Sequence, residues 1–484
     1  MKVFNTLTDG KEDFIPHKDK EVTMYVCGPT TYNYIHLGNA RPMVVFDTIR
    51  RFLEYIGYKV TYVQNFTDID DKIIDRAAEK GQDPFKLAEK YIDEYFHDAE
   101  KLKVKMADFH PRVTQNMNEI IEMVQNLIAN GCAYEVSGDV YFDVSSFKTY
   151  GKLSGRSLDD LKCGARVEID AKKNNPLDFA VWKASKEGEP GWESPWGRGR
   201  PGWHIECSAM SIKYLGTEID IHGGGYDLVF PHHENEIAQA EACTRKPFVR
   251  YWIHNGFITV NEEKMSKSLG NFFLVREILK KFPGEVVRFF LLSTHYRSPI
   301  DFDDQKLNTC AKGLDRIKNT FASLEEALAQ GNFENNDEES NTADLREFKQ
   351  AIEAAGDKFI NAMKDDFNTA LAIAAIFDFC KDVNTFLHNG IKGIAKEKKH
   401  LEKARDLFID LCEDVLGILF SDDQGSSAGD SYGLVNDLME LLLEIRERAR
   451  ENKDWGTADT IRDGLVEMGI EIKDTPQGPK WDLH

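Results

Sequence analysis

The stretch from Glu21 to Asn65 constrains this chain more than any other. Glu21–Val26 runs into three apolar residues, Met24-Tyr25-Val26, and reads as a strand. Cys27–Asn39 is a loop with two glycines and a proline. Pro42–Ile56 then carries Val44, Val45, Thr48, Ile49, Phe52, Leu53 and Ile56 at helical spacing, and Gly57 stands where helices commonly end. Lys59–Gln64 is a second short strand. Strand, loop, helix and strand in this order make a βαβ unit with parallel strands and a right-handed crossover. Such sheets bind ligands beyond the C-terminal ends of their strands, where the loop Cys27–Asn39 lies.

The 484 residues leave room for several units, at about 100–200 residues per domain. Residues 112–200 read as an insertion: an amphipathic helix over Val113–Ala129, a hairpin over Tyr134–Val144 turning at Ser137-Gly138-Asp139, and an ordered loop over Glu187–Gly202. Ile219–His222 returns to a buried strand, closed by Gly223-Gly224-Gly225. After Arg276 the pattern is helical almost throughout. Gly331–Asp344, with five acids and no base, and Ser421–Ser431 read as solvated connections. The expected class is α/β, with a Rossmann-like parallel-sheet domain in two halves, 1–111 and 201–260, split by the insertion. A loop-bearing segment (261–310), a helical bundle (311–420), a linker (421–431) and a small α+β module (432–484) follow.

Three constellations carry chemistry. Pro29–Asn39, with His36, Gly38 and Asn39, lies between the first strand and its helix. A helix N-terminus offers unpaired N–H groups to a phosphate, although a lone HxG also suits an ordinary turn. Lys264-Met265-Ser266-Lys267-Ser268 places two lysines three apart among small hydroxyls, a pattern able to clamp a departing pyrophosphate. Cys27, Cys207 and the run Pro231-His232-His233-Glu234-Asn235-Glu236, read as a helix start with Pro231 near its first position, supply donors that suit zinc. His232 and His233 both reach the face of Glu236, at four and three residues, so spacing leaves either one open. Without a CxxC pair, the two cysteines also fit as small buried apolar residues.

Eight scattered cysteines and no CxxC point to a reducing cytoplasm, and the first residues lack the apolar core of a secretory signal. The longest apolar runs, such as Ala370–Phe377, are too short to span a membrane. The formal net charge is -21, which speaks against a protein that coats nucleic acid but leaves room for a local basic strip.

Across nearly its whole length the chain resembles the bacterial cysteinyl-tRNA synthetases, a family of class I aminoacyl-tRNA synthetases. The likeness is carried by MYVCGPTTYNYIHLGNAR, NFTDIDDKII, SPWGRGRPGWHIECSAMS, DIHGGGYDLVFPHHENEIAQ, KMSKSLGNFF and DWGTADTIRDGLVEMGIEIKDTPQGPKW. The resemblance implies one Zn²⁺ on Cys27, Cys207, His232 and Glu236, where it selects the cysteine thiolate, and hence no editing domain. It implies a cysteine pocket lined by Thr67, Trp203 and His222, and ATP bound with Mg²⁺ by Gly28, His36, Gly38, Asn39, Lys264, Ser266 and Lys267. His36, Asn39, Lys264 and Lys267 are the catalytic set it points to. It assigns 261–310 to a KMSKS loop and stem-contact region, and 432–484 to anticodon binding through Arg450, Asp459 and Asp474. The implied partners are L-cysteine, ATP and tRNA(Cys), with no membrane, for a monomer. Two rival readings are a ligase that adenylates cysteine for an amino-sugar acceptor, which would not need the module after Tyr432, and a non-catalytic zinc- or tRNA-binding protein, which would not need Lys264 and Lys267.

Overall fold

The computed structural model describes residues 1–157, 172–260, 263–264, 273–331, 333, 343–389, 395–419, 442–443, 445–450, 454–467, 470–475 and 478–483. It divides into two compact units, Met1–Leu419 and Phe420–His484.

The first unit is built on four parallel strands: β1 (Glu21–Val26), β2 (Lys59–Gln64), β3 (Ile219–Gly225) and β4 (Val249–Asn255). Their order is β4-β3-β1-β2. Helix α1 (Leu37–Tyr55) makes the crossover from β1 to β2. Its apolar stripe, including Val44, Val45, Ile49, Phe52 and Leu53, is fully buried. Helix α1 begins five residues before Pro42, at Leu37, because His36 caps it; Pro42 forfeits one hydrogen bond near the start and the helix tolerates the loss. Helices α2 (Ile205–Leu215) and α3 (Glu234–Thr244) flank β3 in sequence.

The insertion forms its own antiparallel sheet: Ala133–Val136, Asp139–Phe142, Phe179–Ala184 and Gly199–Pro201, paired in that order. The hairpin turns through Ser137 (φ 54°) and Gly138 (φ 86°), the two positive values of a tight primed turn. Gly199–Pro201, inside the segment expected to be loop, is a short strand against Trp182–Ala184. The helix expected over Val113–Ala129 breaks at Asn116, whose side chain donates to the Arg112 carbonyl at 2.6 Å, and resumes as Met117–Ala129.

A hairpin unread in the sequence, Lys2–Asn5 with Gly10–Asp13, covers the outer edge of β4. Asn5 donates to the Arg250 carbonyl at 2.9 Å and accepts from the Trp252 N–H at 3.0 Å, so its amide takes the place of a neighbouring strand. Helices Asp304–Gln330, Ala343–Lys364, Thr369–His388 and Ala395–Phe408 form the bundle, whose core continues into that of the sheet. Among the described residues no helix is long and apolar enough to cross a membrane. In the second unit, helix Trp455–Glu467 precedes the antiparallel pair Ile470–Thr475 and Gly478–Leu483.

Arg288 joins three parts of the first unit while fully buried. It pairs with Asp47 of α1, donates to the Leu416 carbonyl at 2.5 Å and reaches the Leu102 carbonyl at 3.3 Å. Arg288→Met leaves buried Asp47 with Arg51 as its one cationic partner among the described residues. A loss of about 3 kcal/mol of stability is expected, seen as a lower denaturation midpoint, and an unchanged midpoint contradicts it.

Candidate active site

A cleft of about 370 Å³ opens at the C-terminal ends of β1, β3 and β4, lined by Gly28, His36, Asn39, Thr67, Trp203 and Asn255 among others. Its floor depends on a close backbone approach: a Cβ on Gly28 would lie 1.6 Å from the Asn65 carbonyl oxygen. The Gly28 N–H donates to Asn65 Oδ1 at 2.9 Å, pinning the loop after β1 to the end of β2.

On one wall stands the N-terminus of α1. His36 and Asn39 form a reciprocal capping pair: His36 Nδ1 accepts from the Asn39 N–H, and Asn39 Oδ1 accepts from the His36 N–H, each at 3.2 Å. Gly38 lies in the same turn and lines the cleft. The positive end of the helix therefore faces the cavity.

At the foot of the cleft, Cys27, just past β1, meets Cys207 of α2, His232 before α3 and Glu236 on α3. One donor atom from each lies within 4.8 Å of all the others. Cys27 Sγ is 3.5 Å from Cys207 Sγ and 3.3 Å from Glu236 Oε1, and His232 Nε2 is 3.0 Å from Glu236 Oε1. A second set, Cys27, His222, His233 and Glu236, meets the same 4.8 Å criterion. Burial pushes the Cys27 thiol and the Glu236 carboxyl well up, while hydrogen bonding from Cys27 brings Cys207 down to about 7. Glu236 Oε2 is buried with no hydrogen-bond partner, although His222 Nε2 lies 3.4 Å away. An orphaned buried carboxylate oxygen, two thiols and an imidazole nitrogen in one enclosure fit a soft or borderline dication.

Pro231 does not open the helix that carries these donors. A wide turn, Val229–His233, precedes α3, which begins at Glu234, and His232 reaches Glu236 from that turn. His204 Nδ1 lies 2.9 Å from His232 Nδ1, so the Nε2 of His232 is the nitrogen turned toward the thiols.

The other expected pocket residues gather here. Thr67 Oγ1 donates to Glu206 Oε2 at 2.9 Å. Trp203, 37% exposed, lies 4.4 Å from the His232 ring and walls the mouth. His222 is fully buried, stacks on Trp252 at 4.5 Å and has its Nε2 3.5 Å from Cys27 Sγ.

Lys264 ends the short strand Glu263–Lys264, which pairs with Thr259–Val260 beyond β4. Ser266 and Lys267 lie outside the described residues. In the second unit Arg450 and Asp459 are exposed, Asp459 is 3.1 Å from Arg462, and Asp474 pairs with Pro479 along the hairpin. Sequence reasoning missed Asn65, which ties Gly28 to Cys207, and His204, whose only signal was its place beside Trp203.

The comparisons with known proteins bear on the fold and the family. Residues 13–312 match the family model "tRNA synthetases class I (C) catalytic domain", 358–421 a DALR domain, and 437–481 a "Cysteinyl-tRNA ligase anticodon binding domain". A methionyl-tRNA synthetase from Mycobacterium tuberculosis bound to methionyl-adenylate superposes with TM-score 0.62 at 14% identity, over 84% of this chain and 96% of that one. A leucyl-tRNA synthetase complex from Agrobacterium radiobacter gives 0.60 at 12% identity, over 84% and 85%. The fold is that of the class I aminoacyl-tRNA synthetases. The cysteine–tRNA ligases of Heliobacterium modesticaldum and Pelotomaculum thermopropionicum are each 58% identical to this chain over 99% of both sequences. The chain belongs to the cysteine–tRNA ligase family. These matches lend no support to the amino-sugar or non-catalytic readings.

Burial holds four imidazoles neutral: His204, His222 and His233 lie well below the usual value, and His254 is lowered to about 3. Each takes up a proton if the chain unfolds below about pH 6.5. The stability tied to their neutrality is complete above that pH and is lost as pH falls toward the folded values. The denaturation midpoint is expected to drop steadily from about pH 7 to about pH 5, and a flat profile over that interval contradicts this.

Proposed function

We propose that the chain activates L-cysteine with ATP to cysteinyl-adenylate, releasing pyrophosphate, and passes the cysteinyl group to the terminal 2′-hydroxyl of tRNA(Cys). The observation that carries this reading is the placing of Cys27, Cys207, His232 and Glu236 at the foot of the cleft headed by α1. Cys207 and His232 are preferred over His222 and His233 as the remaining ligands. They add a second soft donor, and His232 Nε2 is 3.0 Å from Glu236 where His233 Nε2 is 3.9 Å. Zinc held there supplies a Lewis acid that takes a thiolate sulfur far better than the hydroxyl of serine.

The remaining work belongs to the chain's own groups. Thr67 commits its hydroxyl hydrogen to Glu206, so its lone pairs are free to accept from the substrate ammonium. Trp203 shields the pocket mouth, and His222 backs the cysteine side chain. The α1 N-terminus, with Gly28, His36, Gly38 and Asn39, receives the ATP phosphates, with Mg²⁺ as the nucleotide's companion. Lys264, Ser266 and Lys267 take the charge that builds on the departing pyrophosphate as the cysteine carboxylate attacks the α-phosphorus. No side-chain nucleophile is needed, because positioning and charge stabilisation supply the acceleration. Arg450, Asp459 and Asp474 read the bases of the GCA anticodon, where arginine can pair with the guanine and an aspartate can accept from the cytosine amino group. The described cysteines are free thiols, which suits a cytoplasmic enzyme.

Charging of total tRNA with each amino acid offered separately tests the reading. Cysteine is expected to be attached, with serine at least about a thousandfold poorer in kcat/KM. Equal charging by another amino acid overturns it. Cys27→Ser is expected to lose bound metal and cysteine-dependent pyrophosphate exchange together. Full exchange by metal-stripped wild-type protein excludes the selecting role given to zinc.

A further inference from the structure

Arg276 belongs to none of the motifs above, yet it touches two elements that flank the cleft. Its guanidinium carbon lies 3.5 Å from the centre of the Tyr34 ring, a stacking distance. Its Nη2 donates to Glu94 at 2.7 Å and to both oxygens of Asp98 at 3.3 Å. Glu94 and Asp98 stand on helix Pro84–Lys101, and Asp98 is only 1% exposed. Among the described residues no other cation pairs with Asp98, so drawing the guanidinium away would strand a buried charge. Arg276 is thus anchored from below while it holds Tyr34 from above.

Tyr34 lies two residues before His36, the cap of α1. The same stretch is gripped through the main chain. The Val275 N–H donates to the Ile35 carbonyl at 3.1 Å, and the Leu37 N–H donates to the Phe273 carbonyl at 3.0 Å. Phe273–Arg276 therefore holds residues 34–37 by two backbone bonds and one stacked side chain. The capping pair shapes the first turn of α1 internally, whereas this grip sets where the turn points. A helix N-terminus serves a phosphate only when its N–H groups are aimed at it.

We propose that Arg276 is a positioning residue for the nucleotide step: anchored by Glu94 and Asp98, it holds Tyr34 and so sets the aim of the α1 N-terminus on the ATP phosphates. The inference rests on the cysteine-activating reaction proposed above. Arginine suits the task because its planar fork serves the carboxylates and the aromatic face together, whereas lysine keeps the charge and loses the stacked plane.

The test is cysteine-dependent ATP–pyrophosphate exchange by full-length Arg276→Lys, Tyr34→Leu and Tyr34→Phe, with bound metal and denaturation midpoint measured on each. For Arg276→Lys, kcat/KM for ATP is expected to fall by about tenfold to a hundredfold, while KM for cysteine and metal content stay unchanged. Tyr34→Leu is expected to give the same split, and Tyr34→Phe, which keeps the ring, to restore the rate. Tyr34→Leu carries the test should Arg276→Lys fail to fold. Unchanged kcat/KM for ATP in both variants, while the unaltered protein exchanges with cysteine, overturns the inference alone. Equal losses toward ATP and cysteine with a lowered midpoint overturn it too, by marking a general structural role. Absence of cysteine-dependent exchange in the unaltered protein overturns the proposed reaction, and the inference with it.

Discussion

The reversal of strand order at β1 is the constraint on which the rest of the molecule depends. β2 lies on one side of β1, and β3 and β4 lie on the other. The connections leaving β1 and β3 must diverge, which opens a crevice at their C-terminal ends. Everything chemical in the first unit is hung on that crevice. Cys27 is the first residue past β1, Gly223-Gly224-Gly225 closes β3, and Asn255 closes β4. The crevice tolerates little bulk at its base: a Cβ on Gly223 would lie 2.2 Å from the Phe46 ring of α1, as one on Gly28 would strike Asn65. One topological fact thus brings a helix N-terminus and a set of soft donors into one cavity.

Those donors are then taken out of water, and the cost of doing so explains their surroundings. A buried thiol, carboxyl or imidazole resists charge. The chain answers with pairs of rings rather than with counter-ions: His204 against His232, and His233 Nδ1 against His254 Nε2 at 2.7 Å, with Thr6 Oγ1 2.8 Å from the far nitrogen of His254. These contacts occupy one nitrogen of His232 and one of His233 and leave the other turned inward. The buried atoms left without a hydrogen-bond partner include the second oxygen of Glu236, Nε2 of His233 and Nδ1 of His222, and these three residues gather with Cys27. A dication held there, as proposed above, would complete this polar network.

Much of this was legible in the sequence, and the failures have physical causes. The βαβ unit was readable because Val44, Val45, Ile49, Phe52 and Leu53 face one core at a period that polar residues do not blur. The start of α1 was not, because its cap is a histidine answered by an asparagine where the usual signal is serine or threonine answered by glutamate. His232 and His233 could not be separated by spacing, since they stand four and three residues from Glu236; each is oriented by a distant ring, His204 for one and His254 for the other, and no one-dimensional pattern carries that. The hairpin at Lys2–Asp13 escaped notice because its strands are four residues each and one buries little, while its hold on β4 runs through the amide of Asn5 and the Thr6 N–H, which donates to the Trp252 carbonyl at 2.9 Å. Arg288 looked like any helical arginine. Its burial follows from three elements meeting at a point and not from its neighbours in the chain.

The net charge of -21 gains meaning from where it is absent. Among the described residues, the cleft wall carries one lysine, Lys72, and one aspartate, Asp227, with Glu236 buried at its foot, so little of the acidic surplus reaches the cavity that must admit a polyphosphate. Much of it sits elsewhere, as in Gly331–Asp344 with its five acids. On helix Ala395–Phe408, by contrast, Lys396, Lys398, Lys399 and Lys403 are all exposed. The overall field of such a protein repels nucleic acid at long range, and attraction begins only where local basic groups meet phosphates within about a Debye length. Binding under those conditions demands many matched contacts at once. A partner of the right shape can supply them, and an arbitrary stretch of nucleic acid cannot, so the acidic body favours discrimination over affinity.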